Sequence, residues 1–95
     1  MTPDAATQAW HRALADSLDA ITRALRPGRA AAIMIGDSYI PGRAFFALDD
    51  VRDALTDELA IEAWASQQRP MLGGREHRAF GDRPKAEHIL LLRKR

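Results

Sequence analysis

Ninety-five residues with a formal net charge of +1, 46% hydrophobic and 28% charged, fit one small globular domain and exclude a disordered or strongly charged chain. With no cysteine, a disulfide framework and a thiolate metal site are excluded, a composition compatible with the cytoplasm. No basic stretch followed by an apolar run opens the chain, and no apolar run is long enough to span a bilayer, so neither a signal peptide nor membrane association is expected.

The first predicted element is a helix over 5–26. Trp10, Ala13, Leu14, Ser17, Leu18, Ile21, Ala24 and Leu25 recur at three-and-four spacing, while His11, Arg12, Asp16, Asp19 and Arg23 fill the wet side. Pro27-Gly28 ends it, because the residue before proline leaves the helical region and glycine tolerates a left-handed exit. A short apolar run then predicts a strand over 29–37, buried on both faces. Pro41-Gly42 marks a loop. Asp49 or Asp50 is positioned to cap a second helix, 49–60, whose apolar side is Val51, Ala54, Leu55 and Leu59. A strand follows over 61–69, then an irregular basic loop over 70–86, then a last strand over 87–94.

A helix feeding a buried strand, then a helix crossing to another strand, is an α/β pattern. The expected fold is a small three-stranded mixed sheet flanked by two helices. Its two helix-linked strands would lie parallel, and the C-terminal strand would return antiparallel because a loop, not a helix, leads into it. One edge would be long and apolar, and such an edge invites another chain.

Two passages carry a resemblance. Leu25-Arg-Pro-Gly-Arg-Ala-Ala-Ala-Ile-Met-Ile-Gly-Asp-Ser38 resembles the "LKPGG, strand, GDS" passage of class I S-adenosylmethionine-dependent methyltransferases, in particular DNA amino-methylases and RNA guanosine methylases. Arg83-Pro-Lys-Ala-Glu-His-Ile-Leu-Leu-Leu-Arg-Lys94 is similar to their "KPEHILVFRK" ending. The likeness runs from about Trp10 to Lys94 and implies the C-terminal half of a Rossmann-like methyltransferase. Its strands would be the fifth, sixth and seventh of that family's sheet, the seventh inserted antiparallel between the other two. The family's glycine-rich cofactor loop, the acidic residue ending its second strand and its Asp/Asn-Pro-Pro-aromatic motif have no counterpart here. Gly73-Gly74 does not replace the first, since no helix is predicted to open after that pair. The implied protein is a substrate-side half that does not catalyse alone. It holds no cofactor by itself and would use S-adenosylmethionine only when completed by an N-terminal half.

Asp37 and Ser38 follow a strand whose carboxyl end is where ligands gather in open α/β sheets. They are substrate-side candidates, or else a turn capping backbone amides. Residues 1–60 carry a net −3 and residues 61–95 a net +4. Arg69, Arg75, Arg78, Arg83 and Lys85, with His77, line the basic loop and are candidates for nucleic-acid phosphates, against the alternative of a solvated loop. Trp10 and Trp64 are expected to pack against helices. His11, His77 and His88 show no metal-ligand spacing, and His88, beside an apolar strand centre, reads as a hydrogen-bonded structural residue. Ser17, Ser38 and Ser66 lack a nucleophile signature. Expected partners are a complementary methyltransferase half, a second copy through the strand edge, or nucleic acid. The functional alternatives are a non-catalytic self-associating module and a small nucleic-acid-binding protein.

Overall fold

The computed structural model describes residues 2–95. Helix α1 (Pro3–Ala24) starts where Thr2 Oγ1 accepts the Ala5 N–H at 3.1 Å, satisfying one of the orphan donors of a helix start. At its other end the ammonium of Lys94 reaches the carbonyls of Thr22 and Leu25, at 2.8 and 3.0 Å, and a cation there complements the helix dipole. Gly28 turns the chain at φ 82° and donates its N–H to Lys94 O at 2.8 Å. The first strand therefore starts beside the end of the last one.

Strand β1 (Ala30–Gly36) leads into a hairpin of β2 (Ser38–Ile40) and β3 (Arg43–Phe45). Helix α2 (Ala47–Ala54), strand β4 (Leu59–Gln68), helix α3 (Gly74–Phe80) and strand β5 (Ala86–Lys94) complete the chain. The main sheet has the order β1-β5-β4, and both of its ladders are antiparallel. The expected mixed sheet with a parallel pair is thereby corrected. β1 and β4 do not touch, because β5 lies between them, antiparallel to each. The reason is where β4 ends and β5 begins. Arg69 N–H donates to Lys85 O at 2.7 Å, so residues 69–85 leave and rejoin the sheet at the same end. A strand entering at that end has to run back. β5 has a continuous apolar centre, Ile89 to Leu92, which suits it to the middle position.

Other boundaries also move. The helix expected over 49–60 spans Ala47–Ala54, since Leu55 is extended and a turn, Leu59 N–H to Thr56 O at 3.2 Å, starts β4. The stretch expected as the loop 70–86 contains α3, which does open at Gly73-Gly74. Among the described residues there are three helices, not two, and a second small sheet closes around Pro41-Gly42.

The core gathers Leu14 and Leu18 of α1, Val51 of α2, and Leu59, Leu90 and Leu92. Along β5 burial alternates: His88, Leu90 and Leu92 are buried, while Ile89 is 50% exposed. β1 alternates in the same way, with Ile33 and Ile35 packed on the core and Met34 67% exposed. The expectation that β1 is buried on both faces is corrected, because α1 and α2 cover one face only. Across the bare face Met34, Ile89 and Ala65 stand in one row. Trp64 is also more open than expected, 53% exposed, with the Arg52 guanidinium 5.1 Å from its ring centre.

Candidate functional site

The ends of β1 and β4 and the start of β5 meet around Asp37. Its N–H donates to Ala86 O at 2.8 Å, and its carboxylate accepts the N–H groups of Ala86, at 2.9 Å, and Ala47, at 2.8 Å. Ala47 opens α2, so Asp37 caps this helix from ten residues upstream, where a negative charge meets the positive end of the helix dipole. Phe46, the residue at the cap position, provides no side-chain bond. Asp49 and Asp50, expected as caps, lie in the first turn. Asp50 instead accepts the Trp10 indole N–H at 2.7 Å, which ties α1 to α2.

The same Asp37 carboxylate meets His88 Nε2 at 3.1 Å, and His88 Nδ1 lies 2.7 Å from Ser66 Oγ. The Asp37 and His88 side chains are 4% and 9% exposed. With Asp37 as acceptor, the hydrogen on the ring belongs on Nε2, and Nδ1 accepts the serine hydroxyl. Strand pairing places Ser66 directly opposite His88. The three side chains form a continuous hydrogen-bonded chain whose outer member, Ser66, faces a pocket of about 300 Å3 that Phe46, Arg52 and Arg83 also line. Arg83 lies over the Phe46 ring at 3.7 Å and pairs with Asp49 at 2.8 Å; Phe46 in turn meets Phe80 edge-on. Such a pocket can orient a polar group at its floor and hold a flat ring or a phosphate at its rim. Ser66 lies within a strand, and no residue other than glycine has a positive φ among the described residues, so a strained nucleophile turn is not part of the site.

The structure separates the residues singled out from sequence. Asp37 is turned inward, whereas Ser38 is exposed and pairs with Phe45 in the hairpin. Arg69 lies 3.8 Å from Glu87 and Arg83 is held by Asp49. Lys85 is 2.6 Å from Glu76, a buried residue that also accepts the Leu72 N–H at 3.0 Å. The Lys85 hydrogen bond, followed by that of Leu72, holds the Glu76 carboxyl below its ordinary range. Arg75 and Arg78 line a second cavity away from these pairs, with Tyr39, Pro41 and Gly42. Sequence reasoning missed Ser66 and His88 as a pair. Ser66 is exposed beside Gln67 and Gln68 near the end of β4, and only the register with β5 sets it opposite His88.

A β-carbon built at Gly28, Gly36, Gly73 or Gly81 would meet nothing within 4 Å, so close packing within the chain is not what calls for glycine at these positions. The carboxylate ending β1 is already committed to Ala47, Ala86 and His88. Among the described residues no three His, Cys, Asp or Glu side chains converge as metal ligands, and no helix is long and apolar enough to cross a membrane. Compared with protein-family models, curated proteins and solved structures, the chain matches none of them.

Proposed function

We propose that this chain forms the substrate-side wall of an S-adenosylmethionine-dependent methyltransferase acting on an amino group of DNA or RNA. The cofactor would be gripped by residues outside this sequence, and the chain would not catalyse alone. One observation carries this reading. The two passages that resemble the methylases, 25–38 and 83–94, lie far apart in sequence yet lock together through Asp37, Ala86 and His88, with Ser66 presented to a pocket at the carboxyl ends of β1 and β4. The Ser66 hydroxyl, oriented by His88, would accept the hydrogen bond of an exocyclic amino group. Arg83 and Phe46 would hold the remainder of the nucleotide. The role of this wall is positioning, which converts loose encounters into aligned ones.

Two titrations test the proposal. Calorimetry with S-adenosylmethionine should give no saturable heat; saturable binding would overturn the assignment of the cofactor to another segment. In amide NMR spectra, cytidine or adenosine should shift the Ser66 and His88 signals, and thymidine, which lacks the amino group, should not. Equal shifts with all three would reject amino-group recognition.

A second reading, a self-associating module, is favoured by a different observation. The outer edge of β1 is unpaired and its face carries Met34 and Ile89 in the open, and such edges template pairing with another strand.

A further inference from the structure

The cavity between the β2–β3 hairpin and α3 lies apart from the pocket over Ser66. It is an open cleft of about 480 Å3 lined by Tyr39, Pro41, Gly42, Arg75, Arg78 and Ala79, a volume in the range of small-ligand sites. Arg75 and Arg78 sit three residues apart on α3, so they share one side of the helix. Other cations of the segment are matched: Arg69 by Glu87, Arg83 by Asp49 and Lys85 by Glu76. Among the described residues, Arg75 and Arg78 form no ion pair. Glu76, which lies between them in sequence, is buried and held by Lys85 and Leu72, so its charge is directed elsewhere. A β-carbon at position 74 would come 3.3 Å from Arg78 Nη1, so glycine there leaves the guanidinium its space. The facing wall supplies a phenol ring, Tyr39, on a short hairpin. Pro41 and Gly42, at φ 91°, form the hairpin's tight turn.

Two uncompensated guanidinium groups beside one aromatic ring suit a particular chemistry. Arginine forks match phosphate oxygens, and an aromatic face takes an unstacked base of any identity. We infer that this cavity is a binding site for a phosphodiester of single-stranded nucleic acid, with Arg75 and Arg78 on the phosphate and Tyr39 against the neighbouring base. The site does not depend on methyl transfer. It would bind a strand whether or not the pocket over Ser66 receives an amino group.

Fluorescence anisotropy with a labelled single-stranded oligothymidylate tests the inference, because thymine has no exocyclic amino group for the other pocket. Binding should weaken as salt rises. Arg75→Gln and Arg78→Gln should each lower affinity several-fold and reduce the slope of log affinity against log salt by about 0.7. Tyr39→Leu should weaken binding and Tyr39→Phe should preserve it. Arg23→Gln, on α1, carries the same loss of charge away from this cavity and should leave affinity unchanged. Inorganic phosphate should compete only at far higher concentration than the oligonucleotide. No binding at low salt would overturn the site, as would an equal loss in Arg23→Gln, which would reduce the effect to net charge. Competition by inorganic phosphate as strong as by the strand would overturn the polynucleotide assignment.

Discussion

At the residue scale, Asp37 carries the most structure per side chain. It caps α2, clamps the start of β5 and orients His88. Removing one partner from a buried network leaves the others unsatisfied, at about 1–3 kcal/mol each. Asp37→Ala strands two backbone N–H groups and the His88 ring, and should cost roughly 2–5 kcal/mol in urea unfolding, with the denaturant slope unchanged. Ser38→Ala, one residue on but exposed, should stay within about 0.5 kcal/mol. Similar losses at both positions would mean that Asp37 is not the clamp. Glu76 gives a pH dependence of defined sign. Its folded-state carboxyl is held below the ordinary range, by Lys85 first, so its contribution is complete above the unfolded-state value of about 4.3 and is lost as pH falls through the lower folded one. Unfolding midpoints followed from neutral pH to about pH 3 should decline less steeply in Glu76→Gln than in the parent protein. Parallel curves would remove Glu76 from the acid response.

At the element scale, the sheet has one packed face and one bare face, and two truncations in β5 distinguish them. Leu90 is fully buried and stands between Ile33 and Trp64 across the strands. Leu90→Ala should cost about 2–5 kcal/mol by leaving a cavity, a large part of the roughly 5–15 kcal/mol that holds a domain together. Ile89→Ala, on the other face, should cost less than about 1 kcal/mol. If the costs were reversed, the register would be off by one residue. The same elements show what sequence can convey. α1, β1 and β5 are legible because each has a repeating or continuous apolar pattern between strong breakers such as Pro27-Gly28. α3 is not, because seven residues with no clear apolar stripe are held by Glu76, its bonds to Lys85 and Leu72, and Phe80. The expected parallel pair does not form, because β5 enters antiparallel between β1 and β4, the place that the methylase resemblance implies for the last strand, whereas a helix between two strands suggests that they adjoin. The candidate site was legible only in part. Asp37 follows a strand and attracts notice, but Ser66 and His88 become partners only through a register that no local pattern encodes.

At the scale of the whole molecule, both helices of the core lie on one side and none of the described residues covers the other. Met34, at 67% exposure, and Ile89, at 50%, stand side by side there, and the neighbouring edge of β1 runs from Ala30 to Gly36 without a charged side chain. Natural sheets blunt such edges with lysine, proline, bulges or a covering element. The bulge here lies on the opposite edge strand, between Ile61 and Ala63 of β4, where Glu62 pairs with Arg93. β4 is therefore guarded and β1 is not, which makes β1 the edge expected to accept another strand, whether from a cofactor-binding portion or from a second copy. Studied alone, the chain should associate with rising concentration in sedimentation velocity. Met34→Lys should shift it toward monomer, because a charge on that face must be desolvated for association but stays hydrated in the monomer. Thermal stability of the monomer should hardly change, since the side chain replaced is mostly in water. A parent chain that stays monomeric at every concentration would show that the bare face and edge need no cover.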